Sequence, residues 1–464
     1  MQYDSAAGYP IGTAPGLRDV VAEAAGFPRL IRTVVRNLIE AWPAEVYRDG
    51  IVEARFIGRR TVFVSDPALI RSLLVDQAAA LGREEFLTRS LSPALGRGIL
   101  TSDGERWRHQ RRIAAPVFRH DRLRAFVPAM SAAGAETRAR WQARGPASVD
   151  MLAEMMRTTF DIIVATMMAG DHGVDVARFG RAMNAYLDQT TWKMALSLLG
   201  APAWAPHPGC VRGAAAARYL RGTIARGIAD RRRSGRCGDD LLGLMLQARD
   251  PETGEGMPDD SLVDNLLTFI AAGHETTAIV LAWTFWLLAE HPEIEARVLA
   301  EMAGAPEAPG GGPNLEALAY TRQVVMEVMR LYPPAPLIVR KTLSEIRLGG
   351  ARIPAGRSVH VPVYAVHRHA RLWLQPERFD PDRFGPAESG ARDRYAYIPF
   401  GAGPRVCIGM GFAMTECLAI LAELLPAFRV TRAAAARPET RFKVTLRPHG
   451  GVGMTVSPRR HPEP

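Results

Sequence analysis

The sequence predicts a mainly α-helical fold with a small β-rich region, and three observations carry that prediction. From Asp259 to Glu290 the chain is apolar nearly all round, with Leu266, Phe269, Ile270, Ile279, Val280, Leu281 and Phe285 and no proline before Pro292. A helix of that kind is buried through the middle of a fold. From Val127 to Leu246 the chain is helical in pattern and rich in Ala, Met and Arg, broken near Ala201–Gly209, where prolines flank Trp204 and mark a helix–loop–helix lid. The β-rich runs are short and lie in two places, Val52–Val64 and Ile338–Val363.

Taken in order, Val52–Phe56 and Thr61–Val64 around Gly58 read as a hairpin, and Ser65-Asp66-Pro67 then starts a helix with a polar cap and proline in its first turn. In Leu100–Arg112, Trp107 and Arg111 stand four apart on one helical face, with His109 and Arg108 expected toward solvent. An indole N–H and a guanidinium so placed can grip a pair of carboxylates. Pro258, Asp259, Asp260 and Ser261 supply start signals for the long helix. Its apolar run is interrupted by Gly273, His274, Glu275, Thr276 and Thr277, a polar knot that argues against a membrane span and costs stability unless hydrogen-bonded. After the Gly/Pro-rich break Gly304–Pro313, Glu327 and Arg330 face the same way on another helix, ahead of strands at Ile338–Lys341, Arg347–Ile353 and Val359–Val363.

The stretch Phe400-Gly-Ala-Gly-Pro-Arg-Val-Cys-Ile-Gly409 presents a single cysteine, Cys407, just before an apolar helical run from Met410 to Leu425. A helix N-terminus favours a thiolate, and Gly401, Gly403 and Gly409 let backbone approach a bulky flat group. No Cys or His partner stands at metal-finger spacing, which suits a ligand completed by a prosthetic group such as haem iron. His360, His367 and His369 lack the spacing of a metal site.

Composition narrows the remaining classes. Four cysteines, Cys210, Cys237, Cys407 and Cys417, are too scattered for a disulfide framework and suit a reducing cytosol. Met1–Gly26 has acidic residues and no uninterrupted apolar core, so neither a signal peptide nor a membrane anchor is expected and a cytoplasmic location is. The formal charge of +10 is spread along the chain, with Arg231–Arg233 the only dense run, so nucleic-acid binding is not expected.

The ten-residue pattern Phe-Gly-x-Gly-x-Arg-x-Cys-x-Gly resembles the haem-ligand loop of the cytochrome P450 superfamily. Trp107-x-x-x-Arg111, Ala272-Gly-x-Glu-Thr-Thr277, Glu327-x-x-Arg330 and Phe379-Asp-Pro-Asp-Arg-Phe384 resemble that family's other motifs, in the family's order. The resemblance implies a triangular fold enclosing haem b between the long central helix and the cysteine-loop helix. It implies a single haem domain over residues 1–464, with 1–50 an N-terminal extension and first helix and no fused reductase. Cys407 would be the axial iron ligand. Trp107, Arg111, Arg340, Arg405, Phe400, Gly401 and Gly409 would bind the cofactor. Ala272 and Gly273 would lie beside it, with a widened turn at Gly273 leaving room for dioxygen, and Glu275 and Thr276 would pass protons. Glu327 and Arg330 would be locked by Arg383, the fuller motif match, with Arg378 in reserve. The substrate pocket would be lined by the loop Glu84–Leu100, the lid near Trp204, Phe269, Ala272, Pro336–Ile338 and the turn at Gly451. The implied activity is insertion of one oxygen atom from dioxygen into an apolar molecule, by hydroxylation or epoxidation, in a monomeric enzyme. A ferredoxin or flavodoxin with its reductase would supply electrons by docking on a basic face near Arg405. A peroxide-using or isomerising haem-thiolate enzyme would not need Glu275 and Thr276; a non-enzymatic haem sensor would need no electron donor.

Overall fold

The computed structural model describes residues 12–13, 36–56, 59–167, 175–198, 201–202, 204–235, 238–308, 313–433, 437–442 and 444–459. The hairpin forms as read: strands β2 (Ile51–Phe56) and β3 (Arg59–Val64) pair antiparallel, and a two-residue β1 (Gly12–Thr13) lies parallel to β2. Helix α1 (Pro67–Arg71) follows, capped by Asp66, whose carboxylate accepts the Leu69 N–H at 3.0 Å. Next come β4 (Leu81–Gly82), α2 (Glu85–Leu95), α3 (Gly104–Ala114), α4 (Val127–Arg144), β5 (Ala147–Asp150), α5 (Met151–Met167), α6 (Val176–Leu198), α7 (Cys210–Ser234), α8 (Leu241–Gln247) and α9 (Asp259–Glu290). The last third adds α10 (Pro292–Gly304), α11 (Ala319–Leu331), β6 (Ile338–Thr342), β7 (Ile346–Leu348), β8 (Ala351–Ile353), β9 (Ser358–Val361), α12 (Met410–Leu424), β10 (Phe428–Arg432), β11 (Thr440–Phe442), β12 (Leu446–Pro448) and β13 (Gly453–Pro458).

Helix α9 is the axis of the main core, with Leu267, Ile270, Ile279, Leu281 and Trp283 fully buried. Helix α5 runs against it so closely that a Cβ on Gly273 would lie 2.7 Å from Ile163. On its other side α9 meets α12, which also packs on α4. The hairpin joins a six-stranded sheet in the order β1-β2-β3-β9-β6-β4, in which β3 and β9 are parallel and β6 pairs antiparallel with both β9 and β4. Its apolar face forms a second, smaller core with Leu69, Ile70, Leu73 and Leu74 around α1.

Two expectations change, and a third falls outside the described residues. Residues 84–100, read as a loop, are mostly α2, because Ser90, Leu91, Ala94 and Leu95 present a buried stripe at helical spacing. The helix expected within residues 1–50 lies outside the described residues, as do Gly58 and Cys237; residues 36–50 contribute two 3₁₀ turns, Leu38–Ala41 and Ala44–Tyr47. His109 does not face solvent: it joins Arg112 on Asp250, whose side chain is fully buried, at 2.7 Å and 2.8 Å.

Candidate active site

The cysteine loop is shaped by its own backbone. The Cys407 N–H donates to Phe400 O at 2.8 Å, the Gly401 N–H to Ile398 O at 3.0 Å, and the Val406 N–H to Gly403 O at 3.0 Å. Gly403 has φ +71°, and a Cβ there would lie 1.9 Å from Leu74 O, so no other residue fits. Gly409 caps α12, and its Cα is close enough that an added Cβ would touch Cys407 Sγ at 4.0 Å. The Cys407 side chain has exposed surface although protein surrounds it, as expected of a residue in the wall of an internal cleft. Burial pushes the thiol's pKa up, and the Gly409 amide and Arg111 pull it down. The helix terminus alone does not make a thiolate; coordination to a metal would, since a ligating thiol is deprotonated outright.

Four guanidiniums converge near this loop. Arg405 lies 4.2 Å over the Trp107 ring and is ion-paired to Asp103, whose other oxygen accepts the Arg83 N–H at 2.8 Å. Arg83 and Arg340 are close enough to Arg405 to depress one another as like charges. Burial first, then Arg405, brings Arg340 down to about 10, and burial, then Arg340 and Arg405, brings Arg83 well below its usual range. Arg83 Nε is buried without a partner, and the one hydrogen bond of the Arg340 side chain goes to its neighbour Val339 O. Arg111 is lowered by burial and raised by Cys407. Among the described residues neither its fork nor the Trp107 N–H donates to a protein acceptor. Asp103 is the one carboxylate acting on Arg83, Arg340 and Arg405, which leaves a buried excess of positive charge. A group bringing two carboxylates beside Cys407 would neutralise it. Arg83 was missed in the sequence because it stands alone before Glu84-Glu85; the signal is spatial, the Asp103 carboxylate that joins β4 to α3.

On α9 the accessible stripe is Ala272 with parts of Ala271, Gly273 and Thr276, on a helix otherwise buried at this level. Thr276 Oγ1 donates to Ala272 O at 2.7 Å. Glu275 is turned from it: its carboxylate accepts from Thr445 Oγ1 at 2.8 Å and pairs with Arg447 at 3.5 Å. The two expected proton carriers are thus not bonded to each other, and Thr445, just before β12, and Arg447, within it, are functional candidates that no motif flagged. The helix is regular α throughout, so there is no widened turn at Gly273. A Cβ at Gly273 would lie 2.7 Å from the end of the Ile163 side chain, which would have to shift to admit it.

Beneath the loop, Arg330 grips both oxygens of Glu327 at 2.7 and 2.8 Å and donates to the carbonyls of His367, Pro376 and Arg378. The Asp380 N–H adds a bond to Glu327 at 3.0 Å. Arg383 approaches Glu327 at 3.5 Å without hydrogen-bonding geometry, while the Arg378 side chain turns to Gln375. Arg383 is therefore the third member, but a weak one. His367 Nε2 accepts the Ile398 N–H at 2.9 Å, two residues before Phe400, so the histidine serves the loop and not a metal. Among the described residues no cluster of His, Cys, Asp and Glu could hold a metal ion. A cavity of about 440 Å³ between Arg60, Phe86, Lys341 and Arg357 touches Glu84, Glu85, Phe86 and Arg89 of the expected pocket lining but none of the expected cofactor-binding or catalytic residues, and its charged lining does not suit an apolar substrate.

A lone cysteine in a cleft, unspent donors around it and a buried surplus of cations define a haem-thiolate site, and the residues present fit that group. The family model described as cytochrome P450 matches residues 44–455, and the chain belongs to that family. It is similar to the cyclooctat-9-en-7-ol 5-monooxygenase of Streptomyces melanosporofaciens, 34% identical with 82% of each chain covered. It is similar also to the pentalenene oxygenase of Streptomyces avermitilis, 31% identical over 90% of this chain and 91% of that one. A crystal structure of the cytochrome P450DA heme domain superposes with TM-score 0.80 at 25% identity, covering 97% of this chain and 98% of the other. The protein is a haem-thiolate monooxygenase that inserts oxygen into an organic substrate.

Proposed function

We propose that Cys407 would hold the iron of haem b, that Arg83, Arg111, Arg340, Arg405 and Trp107 would hold its carboxylates, and that Phe400, Gly401 and Gly409 would shape the loop that presents the cysteine. The observation that carries this reading is the buried cluster of guanidiniums served by one carboxylate. When bound, haem supplies the activation of dioxygen, one atom entering the substrate and the other leaving as water, at the expense of two electrons and two protons. The chain's part is to bind, orient and deliver protons. Ala272 and Gly273 offer a small-residue surface on α9, Thr276 holds a proton at Oγ1, and Glu275, joined to the partly exposed Arg447, meets protons from solvent. Glu327, Arg330 and Arg383 act structurally, under the loop.

The relatives named for cyclooctat-9-en-7-ol and pentalenene support a carbocyclic, largely apolar substrate. The described residues act as one haem domain in the cytoplasm, as a monomer, and electrons come from a separate acidic carrier, a ferredoxin before a flavodoxin, in keeping with the charge of +10. Arg405 is not part of that docking face: it is largely buried in the cradle against Asp103.

The decisive experiment is the spectrum of the reduced protein with carbon monoxide. The red-shifted band of a thiolate trans to CO is expected, and Cys407→His should abolish it. A wild-type spectrum like that of a His-ligated globin would end the reading.

A further inference from the structure

Between α6 and α7 lies a polar side chain with nothing to bind. Gln189 of α6 is 2% exposed, and neither its amide nitrogen nor its oxygen has a hydrogen-bond partner among the described residues. A buried amide in that state is costly, and it gains from any group that supplies a donor and an acceptor together. Two glycines at the start of α7 make room for it: a Cβ on Gly213 would meet the amide carbon at 2.0 Å, and one on Gly209 would touch Gln189 Cβ at 3.8 Å. The amide therefore lies against the turn that Cys210 opens.

Cys210 is the first residue of α7, half-buried and a free thiol. Gly209 ahead of it, at φ +81°, has no side chain to cap the helix, so the sulfur sits at the uncapped positive end of a 25-residue helix. Lys193, one turn beyond Gln189 on α6, is close enough to Cys210 for each to act on the other's ionisation; burial lowers the ammonium's pKa and Cys210 opposes it. Other polar groups nearby are engaged: Thr190 Oγ1 donates to Tyr186 O at 3.2 Å, and His207 Nδ1 lies 3.1 Å from Pro208 O.

We propose that Cys210 is a site of reversible oxidation by hydrogen peroxide, and that its sulfenic acid is held by the Gln189 amide, fastening α6 to α7. The sulfur takes one peroxide oxygen: an S–O bond forms, the O–O bond breaks, and the displaced hydroxide leaves as water with the thiol proton, passed through Lys193. The sulfur loses two electrons and the peroxide gains them. A sulfenic acid carries an O–H donor and acceptor lone pairs on one oxygen, which match the oxygen and nitrogen of the Gln189 amide; a thiol is weak in both roles. The helix end and Lys193 favour the thiolate that attacks. Two reductant thiols reverse the step, giving their disulfide, water and the original Cys210 thiol. A monooxygenase releases peroxide when its electrons are not spent on product, so the source of the oxidant rests on the haem-thiolate reading. The chemistry at Cys210 does not. The roof thus tightens when catalysis runs wastefully.

The haem-loaded full chain, treated with stoichiometric hydrogen peroxide and then with dimedone to trap sulfenic acids, tests this by peptide mass spectrometry. An adduct on Cys210 is expected, and it should be absent when dithiothreitol precedes the dimedone. Lys193→Met should slow its formation and Gln189→Leu should shorten the life of the sulfenic acid, each about fivefold, the worth of one hydrogen bond. Phenylimidazole, followed by its shift of the haem spectrum, should dissociate about fivefold more slowly from oxidised than from reduced wild type. That difference should vanish in Cys210→Ser and in Gln189→Leu, while the CO spectrum stays as in wild type. Both α6 variants keep the cysteine, so the test survives if Cys210→Ser does not fold. No adduct on Cys210, an adduct whose formation and lifetime neither α6 variant changes, or dissociation indifferent to oxidation overturns the proposal. Loss of the CO spectrum in untreated wild type would instead overturn the haem-thiolate reading, and the Cys210 adduct would still form.

Discussion

The layer under Cys407 and the roof formed by α2, α6 and α7 are built on different principles. Under the cysteine, one guanidinium, Arg330, ties α11 to the carbonyls of residues 367, 376 and 378, His367 holds the Ile398 amide, and the Tyr397 hydroxyl reaches Met326 O at 2.9 Å. Segments far apart in sequence are cross-bonded before the loop begins. The roof has fewer polar ties among the described residues. Tyr186 of α6 donates to Leu91 O and accepts from the Ala94 N–H, and Asp264 of α9 accepts from the Arg97 N–H and from Arg221 of α7, both at 2.7 Å. Arg221 also donates to Ala94 O of α2 at 3.0 Å, and Arg178 of α6 lies 4.5 Å over the Tyr219 ring of α7; much of the remaining contact is apolar. The layer beneath the cysteine is cross-bonded many times over, whereas the side proposed to meet the substrate is held by fewer polar contacts.

The largest effect should come from breaking the first network. Arg330→Ala leaves Glu327 fully buried without its fork, which should cost ~3–5 kcal/mol and sharply lower the haem content of purified protein. Arg383→Ala should be milder, because its contact with Glu327 is long and unaligned, and Arg378→Ala milder still, because that residue works through its carbonyl. Urea midpoints and haem content would rank the three; Arg383 or Arg378 ranking above Arg330 would mean that the network is centred elsewhere.

A middle-sized effect is expected at the roof. Tyr186→Phe removes a buried hydroxyl with two partners and should cost about 1 kcal/mol; Asp264→Ala strands Arg221 and the Arg97 amide and should cost about 2–3 kcal/mol. Both should speed substrate dissociation while the CO spectrum and haem content stay as in wild type. A roof variant that loses haem as Arg330→Ala does would erase the distinction between the two regions.

What could be read in the sequence follows the same division. Cys407, Trp107 with Arg111, and Glu327 with Arg330 were legible because each depends on spacing within one loop or helix. The bounds of α9 were legible because start signals at Pro258–Ser261 precede a largely apolar stretch with no proline before Pro292. Contacts between segments were not. Arg83 acquires meaning only when Asp103 joins it to Arg405, and Glu275 only when Thr445 and Arg447 arrive from the far end of the chain. The helix in residues 85–95 was hidden by the internal Pro93, which a helix tolerates at a cost. The close approach of Ile163 to Gly273 was not legible either.

The smallest effect, and the sharpest in form, concerns the link that the sequence turned the wrong way, His109 and Arg112 on Asp250. Asp250 lies beyond α8, accepts from both side chains and from the Glu252 N–H, and so fastens the start of α9 to the helix that carries Trp107 and Arg111. The Arg112 fork is the main reason that its carboxyl sits far below the usual carboxylate range. Because Asp250 is more acidic folded than unfolded, its contribution is fully present above the ordinary aspartate value of about 4 and is lost as pH falls below it. Asp250→Asn should therefore lower the thermal midpoint at neutral pH, and the gap from wild type should close as pH drops through and below that value. His109→Gln should give a smaller gap, since Arg112 remains. The haem cradle, held through Asp103, should be untouched in both. A gap between wild type and Asp250→Asn that stays constant with pH would show that the carboxylate charge does not hold α3, and that packing alone places Trp107 and Arg111.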